Sequence, residues 1–299
     1  MGTPDIAAAA LEAILDAGHT VCGVYTRADK PVGRKQVLTA PPVKRTAMAH
    51  GIPVFQPGTL RDAAQAENIR ALAPELIVVV AYGRILPKDI LDVPPLGCVN
   101  VHASLLPKYR GSAPINWAML NGDTETGVSI MYMAEELDAG DVILTAKTPI
   151  DPEEDLPSLW DRLAKVGAEA LAEALPLLAA GTAPRTPQDA AQATFAPMLS
   201  RELSPIDWTK PMAAIRNQVR GLIPWPCATA ELAGQRFKIY KTAVGTATDK
   251  TPGTLLSAGK KGIEVACGDG QSLWITELQA EGGKRMSAAA YLLGHPMNI

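Results

Sequence analysis

Asn100 and His102 stand two residues apart, and on an extended strand that spacing sends both side chains to the same face. Further along, residues 135–141 read EELDAGD and supply a carboxylate loop. An amide that donates, an imidazole that titrates near neutrality and a carboxylate are parts from which a proton-moving site can be built. Taken singly, none departs from background: an Asn at a strand end is most often a turn former, and a lone His is most often structural. The chain has four histidines, at His19, His50, His102 and His295, and of these His102 follows a buried-type strand and precedes a loop ending in Pro107.

The elements that must position these groups can be read around them. Residues 76–80 form an apolar run rich in Val and Ile, as expected of a strand buried on both faces of a parallel sheet. After Pro94-Pro95, residues 98–101 read as a second strand, and residues 128–133 as a third that leads into the carboxylate loop. Ligand sites in open α/β sheets lie beyond the carboxyl ends of the strands, where Asn100 and His102 fall.

Earlier in the chain, Thr3 is expected to cap a helix that has Pro4 at its first position and Gly18 after its end. Strand 21–25 is followed by residues 26–44, a polar stretch of uncommon length. Between positions 27 and 45 it carries Arg27, Lys30, Arg34, Lys35, Lys44 and Arg45 against one acid, Asp29. Pro31, Gly33, Pro41 and Pro42 argue against a helix. A mobile surface loop accounts for this composition, and so does a finger that follows a phosphate backbone. A helix over 43–50, a strand over 52–55 and a helix over 62–72 complete a βαβα rhythm, and 156–180 is a long Ala- and Leu-rich helix. In residues 181–200 the prolines at 184, 187 and 197 mark a linker. Beyond it, a helix over 212–221 and short alternating stretches with Gly turns point to a small β-barrel.

Composition narrows the class. A chain of 299 residues with 47% hydrophobic and 20% charged residues is ordinary for a globular enzyme of one or two domains. No apolar run is long enough for a membrane helix and no signal-type start is present, so a cytoplasmic protein is expected. Cys22, Cys98, Cys227 and Cys267 are widely spaced, which suggests core thiols and neither a zinc site nor a disulfide framework. The net charge of -3 conceals an asymmetry: residues 200–299 hold 12 Lys and Arg against 8 Asp and Glu. That excess is a mild pointer to an anionic partner such as nucleic acid, although most such imbalances are solvated surface.

Residues 100–111, NVHASLLPKYRG, together with Asp138-Ala139-Gly140, resemble the signature of the folate-dependent formyltransferases, and the likeness runs over nearly the full length. The resemblance implies an α/β fold with a doubly wound, mostly parallel Rossmann-like sheet over residues 1–180, a linker over 181–200, and a C-terminal barrel over 201–299 similar to an oligonucleotide-binding fold. It implies 10-formyltetrahydrofolate as formyl donor, initiator tRNA charged with methionine as acceptor, no metal and no membrane, in a chain acting as a monomer. In the family's terms Asn100, His102 and Asp138 are catalytic: the amide meets the oxyanion, the imidazole accepts and returns a proton, and the carboxylate orients the imidazole. Ser104, Leu105, Leu106 and Pro107 would bind tetrahydrofolate, and the loop with Tyr82, Gly83, Ile85 and Leu86 would border the folate pocket. Arg27, Lys30, Arg34 and Lys35 match the insertion that engages the acceptor end of tRNA, Arg34 being the main position. Family members carry a first strand before the Gly2-Thr3-Pro4 turn, so a late start or a shortened chain is expected here, with stability affected more than chemistry. Acceptors such as an amino sugar, hydrolysis of the donor, or silent tRNA binding are the competing functions. The basic loop and barrel argue against the first two, and the intact Asn100, His102 and Asp138 against the third.

Overall fold

The computed structural model describes residues 1–33 and 35–297, in two compact units. One comprises Met1–Pro114, Glu125–Pro149 and Trp160–Pro197, and the other Ile115–Thr124, Ile150–Leu159 and Met198–Ile299. In chain order the elements begin with α1 (Asp5–Asp16), β1 (Val24–Tyr25), β2 (Lys30–Val32), β3 (Val37–Thr39), α2 (Pro42–Ala49), β4 (Val54–Phe55) and α3 (Ala63–Ala71). They continue with β5 (Ile77–Val79), α4 (Lys88–Leu91), β6 (Cys98–His102), β7 (Arg110–Gly111), α5 (Pro114–Leu120), β8 (Glu125–Tyr132), β9 (Val142–Pro149), α6 (Leu156–Ala179) and β10 (Phe195–Ala196). After α7 (Met212–Gly221) come β11 (Ala228–Leu232), β12 (Gln235–Ala247), β13 (Leu255–Gly259), β14 (Gly262–Ala266), β15 (Gln271–Ala280), β16 (Met286–Ser287) and α8 (Ala288–Gly294).

The first unit is α/β, but its sheet is mixed where a mostly parallel one was expected. Strands pair in the order β5, β6, β8, β9; β5 and β6 are parallel, while β8 is antiparallel to both β6 and β9. For β8 and β9 the reason is connection length: the stretch 133–141 between them is too short for the crossover that parallel neighbours need. β1 and β4 pair in parallel separately. Between β1 and β5, Gly2 bridges Val80, donates its N–H to the Tyr25 carbonyl at 2.9 Å, and Val80 N–H donates to the Met1 carbonyl at 2.9 Å. Beside them lies a cavity of about 660 Å³ lined by Leu11, Val24, Ile77 and Leu175 among others. Burial holds the Met1 ammonium down to about 6, and it donates to the Val78 carbonyl at 2.6 Å. The first helix is entered from Pro4, and the Thr3 hydroxyl, expected as its cap, turns instead to the Tyr82 carbonyl at 3.4 Å.

The long polar stretch after β1 holds an antiparallel hairpin, β2 with β3, which turn-rich composition had concealed. Val32, Val37 and Leu38 on it are exposed, so few apolar contacts fasten it down. At its base Lys44 Nζ meets both Asp29 carboxylate oxygens at 2.9 Å, and Gln56 Nε2 donates to Asp29 Oδ1 at 2.8 Å.

The expected linker over 181–200 is the plainest departure. Thr186 pairs with Val142 through two backbone bonds of 2.9 and 3.0 Å, and β10 lies parallel to β7. Thr194 accepts from Tyr109 N–H at 2.9 Å through its hydroxyl and from Arg110 N–H at 2.8 Å through its carbonyl. Proline and threonine composition reports the lack of regular structure; it does not report where the backbone bonds go. Residues up to Pro197 therefore belong to the first unit.

In the second unit β11, β12, β15, β14 and β13 form one antiparallel sheet in that order, with β16 added on β15. Among the described residues β11 and β13 do not pair, so the expected barrel is here an open six-stranded sheet. Alternation builds its core: along β12, Phe237 and Ile239 are buried while Arg236 and Lys238 face water, and Ile263, Val265, Ile275 and Leu278 pack with them. Helix α8, unforeseen from sequence, starts at Ser287, whose hydroxyl accepts the Ala290 N–H at 3.2 Å, and places Tyr291 edge-on against Phe237.

Candidate active site

β6 is a central strand of its sheet, and its last residues carry the two groups singled out at the start. Asn100 and His102 both face Asp138, which projects from the loop joining β8 to β9. His102 Nδ1 lies 3.7 Å from Asp138 Oδ2, with the two side chains only 6% and 11% exposed. On its other edge His102 Nε2 is 2.8 Å from the Tyr109 carbonyl. A carbonyl only accepts, so we assign a proton to Nε2, which leaves Nδ1 as the nitrogen that faces the carboxylate and can gain a second proton. Asn100 Nδ2 approaches Asp138 Oδ1 at 3.5 Å, a long contact that holds the amide loosely.

Asp138 is gripped from several sides. Gly111 N–H donates to its Oδ2 at 2.7 Å. Gly111 has φ near +120°, and a Cβ there would lie 2.7 Å from the Ala196 carbonyl oxygen, so the β7–β10 pairing requires glycine. Asp138 itself has φ near +50°, a left-handed conformation that asks for support in a residue other than glycine. Gln188 Nε2 donates to the carbonyls of Asp138 and Gly140, both at 2.8 Å. Gln188 Oε1 in turn accepts from Arg110 Nε and Nη2 at 3.1 and 3.0 Å, and Arg110, only 4% exposed, pairs through Nη1 with Glu136 at 3.2 Å. Nothing local in the sequence marks Gln188, which lies in the stretch read as linker.

The segment after β6 is fixed through Ser129 of β8. The Ser129 hydroxyl accepts Leu106 N–H at 3.1 Å and donates to the Ser104 carbonyl at 2.7 Å. The Ser104 hydroxyl is turned inward to the Lys108 carbonyl at 2.6 Å, so it shapes the turn, while Leu105, Leu106 and Pro107 remain half-buried. In the 82–86 loop Tyr82 and Leu86 belong to the core, whereas Ile85 is 73% exposed and Gly83 open. Tyr82 Oη and Arg84 Nε are buried with no hydrogen-bond partner among the described residues, which leaves unmatched polar atoms in that loop.

The basic residues of the hairpin region divide. Lys30 and Lys35 are exposed, and Arg34 lies outside the described residues. Arg27 is committed elsewhere: its Nη1 donates to the Gly83 carbonyl at 2.7 Å and ties the region to the 82–86 loop. Among the described residues no group of three or more His, Cys, Asp or Glu is placed to hold a metal ion, and no helix is long and apolar enough to cross a membrane.

A half-buried amide, a buried imidazole and a largely buried carboxylate meet at the end of a central strand, a set able to move a proton and to donate to a developing charge. The formyl transferase profile matches residues 1–175 and the profile of the formyl transferase C-terminal domain matches residues 198–296, so the chain belongs to the formyl transferase family. It is 52% identical to a methionyl-tRNA formyltransferase of Trichlorobacter lovleyi over 299 residues, covering all of this chain and 94% of that one. With a protein of the same name from Geotalea uraniireducens it shares 53% identity, over 99% of this chain and 94% of the relative. Among solved structures, an N-formyltransferase from Helicobacter canadensis in complex with folinic acid and dTDP-3-aminofucose superposes with a TM-score of 0.69 at 18% identity, covering 91% of this chain and 96% of that one. HypX from Aquifex aeolicus in complex with tetrahydrofolic acid gives 0.61 at 20% identity, over 82% of this chain and 43% of that one.

Proposed function

We propose that this protein transfers the formyl group of 10-formyltetrahydrofolate to the α-amine of methionine carried by initiator tRNA, and so serves translation initiation. The observation that carries the reading is the gathering of Asn100, His102 and Asp138 at the end of β6 in a chain about half identical, end to end, to relatives of that name. The donor supplies the formyl carbon, and the new bond forms between the methionine nitrogen and that carbon as the bond to the folate nitrogen breaks. The amine must lose a proton and the departing nitrogen must gain one. His102 holds such a proton at Nδ1, where Asp138 Oδ2 stabilises the imidazolium. The Asn100 amide, held in a largely dry site, donates to the oxygen as it takes on negative charge. No Ser or Cys nucleophile is needed, so transfer is direct.

The residues present fit a folate donor. The half-buried turn Leu105, Leu106 and Pro107 offers apolar walls, and the 82–86 loop adds exposed Ile85, the backbone of Gly83 and the unmatched Arg84 donor, which suit a flat polar ring. Exposed Lys30 and Lys35, with Arg34 between them in sequence, supply cations for the tRNA backbone, and Arg27 acts by tying this region to the folate loop. The C-terminal sheet is a module akin to an oligonucleotide-binding fold, with Lys238 and Lys241 on its outer side. The protein works as a monomer in the cytoplasm.

The test is transfer of labelled formyl from 10-formyltetrahydrofolate to methionyl initiator tRNA. Transfer is expected with the intact chain, and Asn100→Ala is expected to lower kcat by roughly a hundred- to a thousandfold without unfolding. Formylation of an amino-sugar nucleotide in place of the charged tRNA would move the acceptor to the other branch of the family. Full activity in Asn100→Ala would end the proposed role of the amide.

A further inference from the structure

We propose that Gln188, in the segment that sequence marks as a linker, is a positioning residue for the reaction and acts through Asp138. The inference rests on the reading of Asp138 given above. It begins from the valence of one side chain. Both hydrogens of the Gln188 amide are taken up, one by the Asp138 carbonyl and one by the Gly140 carbonyl, each at 2.8 Å. Its oxygen accepts from two nitrogens of Arg110, at 3.1 and 3.0 Å. The amide cannot flip, because a flip would turn its NH2 toward the Arg110 donors and its oxygen toward two carbonyls.

The guanidinium that fixes this orientation is itself anchored. Arg110 is almost fully buried, its Nη1 meets Glu136 at 3.2 Å, and its backbone N–H donates to the Thr194 carbonyl at 2.8 Å. Gln188 is placed from the other side by the Thr186 pairing with Val142, the first residue of β9. The glutamine therefore spans the two ends of a short loop and joins it to β7, whose Gly111 N–H holds the Asp138 carboxylate at 2.7 Å. Asp138 is held by its carboxylate on one side and by its main chain on the other.

That second grip is needed for two reasons. Asp138 sits at positive φ, a region that costs a side-chain-bearing residue some conformational energy and that contacts to its main chain help to hold. Its carboxylate also stands 3.7 Å from His102 Nδ1, and the loop's glycine, Gly140, leaves no room for a Cβ against the Tyr132 carbonyl, so the loop has one packed path. Without Gln188 the loop keeps its sequence and its charge but loses the two bonds that fix the main chain around Asp138, and the distance to His102 becomes variable. An error of about 1 Å in such a placement can cost up to roughly a hundredfold in rate.

The experiment compares Gln188→Ala, Gln188→Glu, Asp138→Asn and the double variant Gln188→Ala/Asp138→Asn in formyl transfer to methionyl initiator tRNA. The measurements are kcat, KM for both substrates, the pH profile of kcat, and thermal denaturation. Gln188→Glu keeps the size but replaces the two donors with oxygens that repel the Asp138 and Gly140 carbonyls. Both single Gln188 variants are expected to lose roughly 10- to 100-fold in kcat measured well below the melting transition, with KM for each substrate little changed and a displaced pH profile, and Gln188→Ala is expected to melt somewhat lower because buried Arg110 loses an acceptor. The double variant is expected to be no slower than Asp138→Asn alone, because Gln188 acts only through that residue. Wild-type kcat in Gln188→Ala overturns the inference. So does a full additional loss from Gln188→Ala in the Asp138→Asn background, or a loss confined to melting temperature. Full activity in Asp138→Asn itself overturns the reading of the site and with it the inference.

Discussion

Two segments of the chain look alike in sequence and behave differently in the fold. The stretch 26–44 and the stretch 181–200 each hold three prolines among polar residues, and both read as surface connections. The first rises into the β2–β3 hairpin with exposed Val32, Val37 and Leu38 and is fastened at its base by the Asp29, Lys44 and Gln56 cluster. The second pairs with β9 and β7 and reaches the loop that bears Asp138. Composition describes what a segment cannot build by itself. Function depends on which orphan donors and acceptors of its neighbours it satisfies. In this chain the basic stretch exposes its hairpin to water, while the neutral one holds the loop that bears Asp138.

The sharpest way to break that contrast is at Gly111, where the 195–196 pairing and the Asp138 carboxylate meet on consecutive backbone groups. Gly111→Ala puts a Cβ against the Ala196 carbonyl at a φ that disfavours side chains. Stability is expected to fall by about 1–3 kcal/mol. Displacement of the position-111 N–H from the Asp138 carboxylate is expected to lower kcat by roughly 10- to 100-fold. Denaturant titration and single-turnover transfer measure the two separately. An alanine variant with native stability and native kcat would show that this segment is a linker after all.

Substitutions in the hairpin should have the opposite profile. Lys30→Ala and Lys35→Ala are expected to raise KM for charged tRNA several-fold and to leave kcat and folate binding unchanged. Each should also reduce the slope of log KM against log salt by about one for a lost phosphate contact. The arginine at position 34 is expected to show the largest such effect of the three. Equal losses in folate and tRNA binding would mean that the hairpin shapes the pocket, a result for which the Arg27 bond to the Gly83 carbonyl offers a route.

The meeting of Asn100, His102 and Asp138 was legible because its signals are local or near local: two residues on one strand, then a carboxylate loop. The buried strand before it was legible from an unbroken apolar run, and α6 from its helical spacing. The antiparallel half of the sheet was not legible because strand direction depends on connections and not on residue type: the short 133–141 stretch turns β9 back along β8. The open edge of the C-terminal sheet was invisible for a similar reason, since alternation reveals strands and says nothing of closure. Gln188 and Thr194 carry no signal of their own. Their roles arise from groups on β7 and in the 138–140 loop, distant in sequence, and a segment's composition cannot report its neighbours' unmet bonds.

The smallest effect expected lies at the base of the hairpin and depends on pH. The Gln56 amide, and after it the Lys44 ammonium, hold the Asp29 carboxyl below its ordinary value of 3.8. A carboxylate with a depressed folded pKa contributes stability that is fully present above that ordinary value and is lost as the pH falls through the folded one. Because Asp29 is open to solvent, the expected consequence is local: the thermal midpoint stays where it is, and backbone amides of β2 and β3 exchange faster only below pH 4 or so. Asp29→Asn should reproduce the faster exchange at neutral pH. The amides of Arg110 and Thr186, held by backbone carbonyls in the other segment, should not respond to this variant, because no charge at position 29 supports them. Exchange that quickens equally in both segments would erase the distinction between a hairpin tethered at its base and a segment bonded along its length.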